Sequence, residues 1–168
     1  MIKGAEISPC GRYRWVLTRN WFSAAGVLPF VMLNPSTADA EKDDPTIRRC
    51  ISFAEREGFG GIEVVNLYSF RATSPKDMLA ADDPIGRETD SWLFRAATLP
   101  ARRVVCAWGA NAQPERVRAV ADLIGPVADL VCLGTTKAGH PRHPLYVKGD
   151  QPLVPWSLPE RQGDHRND

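Results

Sequence analysis

With 168 residues, 43% of them apolar, the chain has the size of one domain able to bury a core without metals or disulfides. Twenty-one Lys and Arg against 20 Asp and Glu leave a net charge of +1, which excludes a bulk-basic nucleic-acid coat and an acidic solvating chain. Any polyanion site must therefore be a local patch. No apolar run approaches the ~18 residues of a membrane span, no signal-like segment opens the chain, and the four cysteines lack C-x-x-C spacing, so a cytoplasmic protein with unpaired thiols is expected.

Residues 12–19 alternate polar and apolar side chains, the pattern of a half-exposed antiparallel strand at a sheet edge. Residues 27–33 form the first core strand, followed by an irregular loop over 36–44 placed as a lip or lid. Asp44-Pro45-Thr46 opens a helix that runs to about Glu57 and stops at Gly58. A second strand spans 62–66. The Pro- and Asp-rich connection over 70–84 carries a short helix start at Ser74-Pro75, and residues 87–99 read as a helix. The third strand is 103–108, an amphipathic helix spans 114–124 with Gly125 as its stop, and the fourth strand is 130–133. This β-α-β-α rhythm predicts one α/β domain over 1–156: three α/β/α layers on a central, mainly parallel four-stranded sheet, plus an N-terminal antiparallel edge. Residues 157–168, including His165, are polar and read as a disordered tail.

The four core strands empty into Asn34-Pro35, Asn66, Trp108-Gly109 and the loop Gly139-His140-Pro141-Arg142-His143-Pro144. Open α/β sheets keep their chemistry at such strand ends. Asn34, held by the following proline, suits orienting a water or a carbonyl oxygen, and Asn66 offers a donor and an acceptor side by side, as a base edge requires. Either asparagine can equally serve a turn or a cap. The His-Pro loop is too polar and too proline-rich for a core. Its histidines lack a Cys or carboxylate at ligand spacing, so neither a metal nor a cofactor is expected. Asn111 and Gln113 lead into a helix N-terminus suited to a phosphate. Asp43-Asp44 and Asp82-Asp83 have the form of paired carboxylates for acid-base work, but in loops beside prolines they read as helix caps or solvated charge.

Met32-Leu33-Asn34-Pro35-Ser36, Val65-Asn66-Leu67, the run Val105 to Gln113 and His140-Pro141-Arg142-His143-Pro144-Leu145 together resemble, in order, the motifs of the uracil-DNA glycosylase superfamily. More closely, Asn34-Pro35-Ser36-Thr37-Ala38-Asp39, Asp44-Pro45-Thr46 and Pro141-Arg142-His143-Pro144-Leu145-Tyr146 resemble a bacterial and phage family known only as a domain of unknown function. The glycosylase resemblance implies hydrolysis of the N-glycosidic bond of a damaged or modified DNA base, by a metal-independent enzyme acting as a monomer. Asn34 would position the water, Asn66 with Ser36 and Tyr68 would bind the base, and His140 or His143 would stabilise the departing base, His-Pro order favouring His140. Arg142, Lys137, Gln113 and Asn111 would hold DNA phosphates. The superfamily's base-stacking aromatic has no counterpart over 36–47, and the cysteines do not match its iron-sulfur branch. A catalytically silent binder of nucleic acid or nucleotide and a small-molecule nucleoside or nucleotide hydrolase are the competing functions.

Overall fold

A computed structural model describes residues 1–36 and 38–159. In chain order the strands are β1 (Ile2–Ile7), β2 (Arg14–Asn20), β3 (Val27–Met32), β4 (Gly61–Asn66), β5 (Arg103–Cys106), β6 (Asp129–Cys132) and β7 (Val154–Pro155). The helices are α1 (Pro45–Arg56), α2 (Pro75–Leu79), α3 (Thr89–Ala97) and α4 (Pro114–Ile124). Three of the four open on a proline, whose missing N–H is an orphan there in any case. Asp44 and Ser74 cap the first two by accepting from Ile47 N and Asp77 N.

The result is an α/β fold on one mixed, seven-stranded sheet in the order β1-β2-β4-β3-β5-β6-β7. Strands β4, β3, β5 and β6 pair in parallel, while β1-β2-β4 and β6-β7 pair antiparallel. The expected central strands are present, but the expected edge is not an edge. β2 lies between β1 and β4, because Ile2–Ile7, too mixed in composition to read as a strand, pairs along its whole length. The composition of β2 also misleads: Arg14 and Arg19, charged residues of a strand read as half-exposed, are 3% and 0% exposed. The two-residue β7 is too short for any pattern to reveal.

Alternate residues of the sheet face two cores. Val31, Leu33, Val65 and Val104 pack against Leu93 and Ala96 of α3 and Val117, Val120 and Ile124 of α4. Leu28, Phe30, Met32, Ile62 and Val64 pack against Ile47, Cys50, Phe53 and Ala54 of α1 on the opposite face. All four cysteines are free, and burial holds the Cys50 and Cys106 thiols well above their ordinary pKa, which makes them packing residues rather than nucleophiles. Of the expected tail, Leu158 packs against the first core, and residues 160–168, with His165, lie outside the described residues. No helix among the described residues is long and apolar enough to cross a membrane.

The loop before α1 is fixed from below by Arg19. Its Nε donates to Asp43 at 2.7 Å, and its Nη2 donates to the carbonyls of Asp39 at 2.7 Å and Lys42 at 3.3 Å. Removing such a buried donor strands several acceptors at once. Arg19→Ala is expected to lower the unfolding free energy by about 3–5 kcal/mol. Lys3→Ala, which breaks a half-exposed contact to the same Asp43 at 3.5 Å, should cost below about 1 kcal/mol. Denaturant titration of both variants measures this, and equal losses would show that the loop holds itself.

Candidate functional site

In a sheet with parallel centre and antiparallel flank, the last residues of β3, β4, β5 and β6 and the first residue of β2 fall on one side. A cleft of about 490 Å³ opens there. Its floor is Asn34, Asn66 and Trp108 from the strand ends, with Arg14 from β2. Its walls are Asp44 and Thr46 at the start of α1 and Arg142, His143, Leu145 and Tyr146 from the His-Pro loop.

Asn66 is 1% exposed, and neither its Nδ2 nor its Oδ1 has a hydrogen-bond partner. Each such buried orphan costs about 1–3 kcal/mol relative to a satisfied group. A ligand presenting an acceptor beside a donor would complete both. Asn34 is the reverse case. Its Nδ2 donates to the carbonyls of Ala72 at 2.9 Å, Pro35 at 3.1 Å and Phe70 at 3.4 Å, so the amide is locked and only Oδ1 remains to accept from a water or ligand.

The His-Pro loop is braced on both sides. Gly109 N donates to Pro141 O at 2.9 Å, Arg142 N to Gly134 O at 3.0 Å, and Arg49 of α1 donates to the carbonyls of Pro144 and Val147. Gly109, at φ 75°, occupies a backbone region that favours glycine, and a Cβ built there would meet His143 Cβ at 3.9 Å. The bracing separates the two histidines. His143 lines the cleft. His140 lines a second groove, of about 740 Å³, against α4, Trp156 and Pro159.

Leu145 N donates to His143 Nδ1 at 3.2 Å, which puts the proton of the neutral ring on Nε2 and makes that atom a hydrogen-bond donor. Burial lowers the His143 pKa, with the Asp44 carboxylate acting against it, so the ring is neutral at pH 7. Asp44 holds Ile47 N with Oδ1 at 2.9 Å and is the one carboxylate among the described residues lining the cleft. Trp108 is 2% exposed, and its Nε1 has no partner.

Of the residues singled out from sequence, Asn34, Ser36, Asn66, Asn111, Arg142 and His143 meet in this cleft. Tyr68, Gln113, Lys137 and His140 do not. Tyr68 is buried, and its hydroxyl accepts from Gln113 N at 3.0 Å, which joins those two outside the cleft. Lys137 is exposed on the hairpin beyond the cleft. No group of three or more His, Cys, Asp or Glu among the described residues has the geometry to hold a metal ion.

A family model described as "Protein of unknown function (DUF1643)" matches residues 14–145. The chain belongs to this family. The match takes in every residue lining the cleft except Tyr146, so the cleft lies within the DUF1643 unit. No curated protein and no solved structure matches the chain.

Within this DUF1643 chain, sequence reasoning missed Arg14, which opens a strand read as a half-exposed edge. Asp44 was recognised as a helix cap, which it is, but not as a wall of the site. The asparagine-proline and histidine-proline signals were local; Arg14 reaches the site through strand pairing alone.

The His143 geometry carries a measurable consequence. The lowered folded-state pKa means that the unfolded chain takes up the proton first. The ring's contribution to stability is therefore complete above the ordinary value of 6.5 and is lost as pH falls through the lower folded-state value. Nitrogen-15 NMR should show His143 as the Nε2–H tautomer at pH 7, titrating below 6.5. An Nδ1–H tautomer, or a midpoint above that value, would refute the arrangement.

Proposed function

We propose that the cleft is the base pocket of a metal-independent hydrolase that cleaves the N-glycosidic bond of a damaged or modified base in DNA, on a three-layer fold of the uracil-DNA glycosylase type. The observation that carries the reading is the buried Asn66 amide with donor and acceptor both open, facing the same cleft as the Asn34 acceptor and the His143 Nε2–H. A nucleobase edge offers the matching pair of groups, and a base flipped out of its stack is what such a pocket receives.

In this mechanism a water accepted by Asn34 Oδ1 attacks the anomeric carbon, and the bonding pair of the C–N bond passes to the base. His143 Nε2–H and Asn66 Nδ2 donate to the charge that grows on the leaving base. Asp44 takes the proton that the water loses. At the mouth of the pocket, Leu145 and Tyr146 are 42% and 78% exposed, where an apolar and an aromatic side chain suit contact with unstacked bases. Arg142 stands beside them for the phosphates.

The test is single-turnover excision from single- and double-stranded oligonucleotides carrying uracil, hypoxanthine, alkylated or hypermodified bases, read by alkaline cleavage at the abasic site. His143→Ala is expected to lower the rate by roughly 10² to 10⁴. His140→Ala, in the separate groove, should leave it near wild type. A larger loss at His140 would move the catalytic role to that residue, and no excision of any base would overturn the reading.

Asn34→Ala should cost roughly 10² or more in rate. Asn34→Asp should fare no better, because a carboxylate placed against the carbonyls of Pro35, Phe70 and Ala72 exchanges three attractions for repulsions. Wild-type rates in both variants would reduce Asn34 to a turn residue.

A further inference from the structure

Among the described residues three arginines are buried: Arg14 at 3%, Arg19 at 0% and Arg116 at 7% exposure. Two of them have carboxylate partners, Arg19 on Asp43 and Arg116 on Asp90, each at 2.7 Å. Neither lines the cleft. Arg14 does, and no carboxylate among the described residues lies within 4.0 Å of it. Its side chain makes one hydrogen bond there, from Nη1 to Ala38 O at 2.8 Å, and its Nε is buried with no partner. A buried, uncompensated guanidinium is costly, and the fork it leaves open matches the two oxygens of a carboxylate or phosphate.

The surroundings do not relieve it. Burial above all, with Arg71 and Arg19 acting in the same direction, brings the Arg14 pKa down to about 10, which still leaves it charged at neutral pH. Asp44 and Asp39 act in the opposite direction from beyond ion-pair distance. Arg14 N donates to Ser69 O at 3.0 Å, three residues after Asn66 on the same chain segment, so the unpaired cation and the open amide share one floor.

We propose that the natural ligand of the cleft carries an oxyanion, a carboxylate or a phosphate, that docks on Arg14 beside the heterocycle edge held by Asn66. The Asn66 half rests on the base-pocket reading above; the Arg14 half does not. The oxyanion has two possible sources, a substituent on the base itself or the phosphate of a nucleotide, and both place a negative group within one small molecule's length of the edge.

Isothermal titration and thermal shift on the full chain test this with uracil, uracil 5-carboxylate, uracil 6-carboxylate, uridine, uridine 5′-monophosphate and inorganic phosphate. At least one anionic probe should bind tenfold or more tighter than its neutral counterpart, and Arg14→Gln should abolish that preference. Gain for the carboxylated bases alone assigns the anion to the base; gain for the monophosphate alone assigns it to a nucleotide. Equal binding of anionic and neutral probes, or no binding by any anionic probe, overturns the proposal, as does a preference that persists in Arg14→Gln.

Should Arg14→Gln fail to fold, Arg14→Lys keeps the charge but not the fork and should reduce the preference at least threefold; an unchanged preference counts against Arg14. Binding of neutral uracil to wild type and to Asn66→Ala is scored separately. A failed base pocket, with phosphate still binding through Arg14, is thereby distinguished from a failed anion seat.

Discussion

Residues 67–72, the extended segment that follows β4, are the constraint on which the site depends. All six of its N–H groups donate to backbone carbonyls: Leu67 to Met32, Tyr68 to Leu33, Ser69 to Ile85, Phe70 to Pro84, Arg71 to Arg12 and Ala72 to Pro35. Four of its six carbonyls are taken as well, Leu67 O by Arg116 Nε, Ser69 O by Arg14 N, and Phe70 O and Ala72 O by Asn34 Nδ2. An irregular segment can be buried only if its polar groups are answered this fully. The chain that answers them is also the chain that presents Asn34, Asn66 and Arg14. One hydrogen-bond network thus fixes the backbone that carries three side chains, contributed by three different strands.

Against this background of satisfied groups, the unsatisfied ones are informative. Of the seven buried side-chain atoms without partners among the described residues, four belong to residues lining the cleft: both amide atoms of Asn66, Arg14 Nε and Trp108 Nε1. At about 1–3 kcal/mol each, leaving them open costs a sizeable share of the stability of a domain this size. The fold otherwise shows that it can pair such groups, since Arg19 and Arg116 are also buried and each has a carboxylate partner. Open polar atoms are thus concentrated in one cleft, at the expense of the stability that pairing them would supply.

The parts of this arrangement legible in the sequence were those set by local chemistry. Asp44-Pro45, Ser74-Pro75 and Pro114 announce helix starts wherever the chain folds, and apolar runs ending in Asn34 and Asn66 announce strands with polar exits. What required the third dimension was pairing. The inner position of β2 depends on β1, whose Gly4 and Ala5 give it little apolar signal. The opposite facing of His140 and His143 depends on Gly109 N meeting Pro141 O across the sheet edge, a bond between residues 32 positions apart. Buried arginines are the hardest case, because alternation reads a charged side chain as a solvated one until its partners are known.

Helix α1 connects the two walls that the sheet alone would leave independent. Its N-cap Asp44 contributes the acidic side of the cleft, while Arg49 and Arg56, farther along, hold the carbonyls of Pro144, Val147, Gly149 and Gln151 beyond the His-Pro loop. The cap is itself positioned from the sheet, since Arg19 grips Asp43, the residue before it. Burial force from Ile47, Cys50, Phe53 and Ala54 presses the same helix onto β3 and β4. Any shift of α1 along the sheet would therefore move Asp44 and His143 together relative to the fixed asparagines. The distance between the sheet-borne side of the cleft, Asn34 and Asn66, and the side formed by Asp44 and His143 is accordingly set by packing against α1.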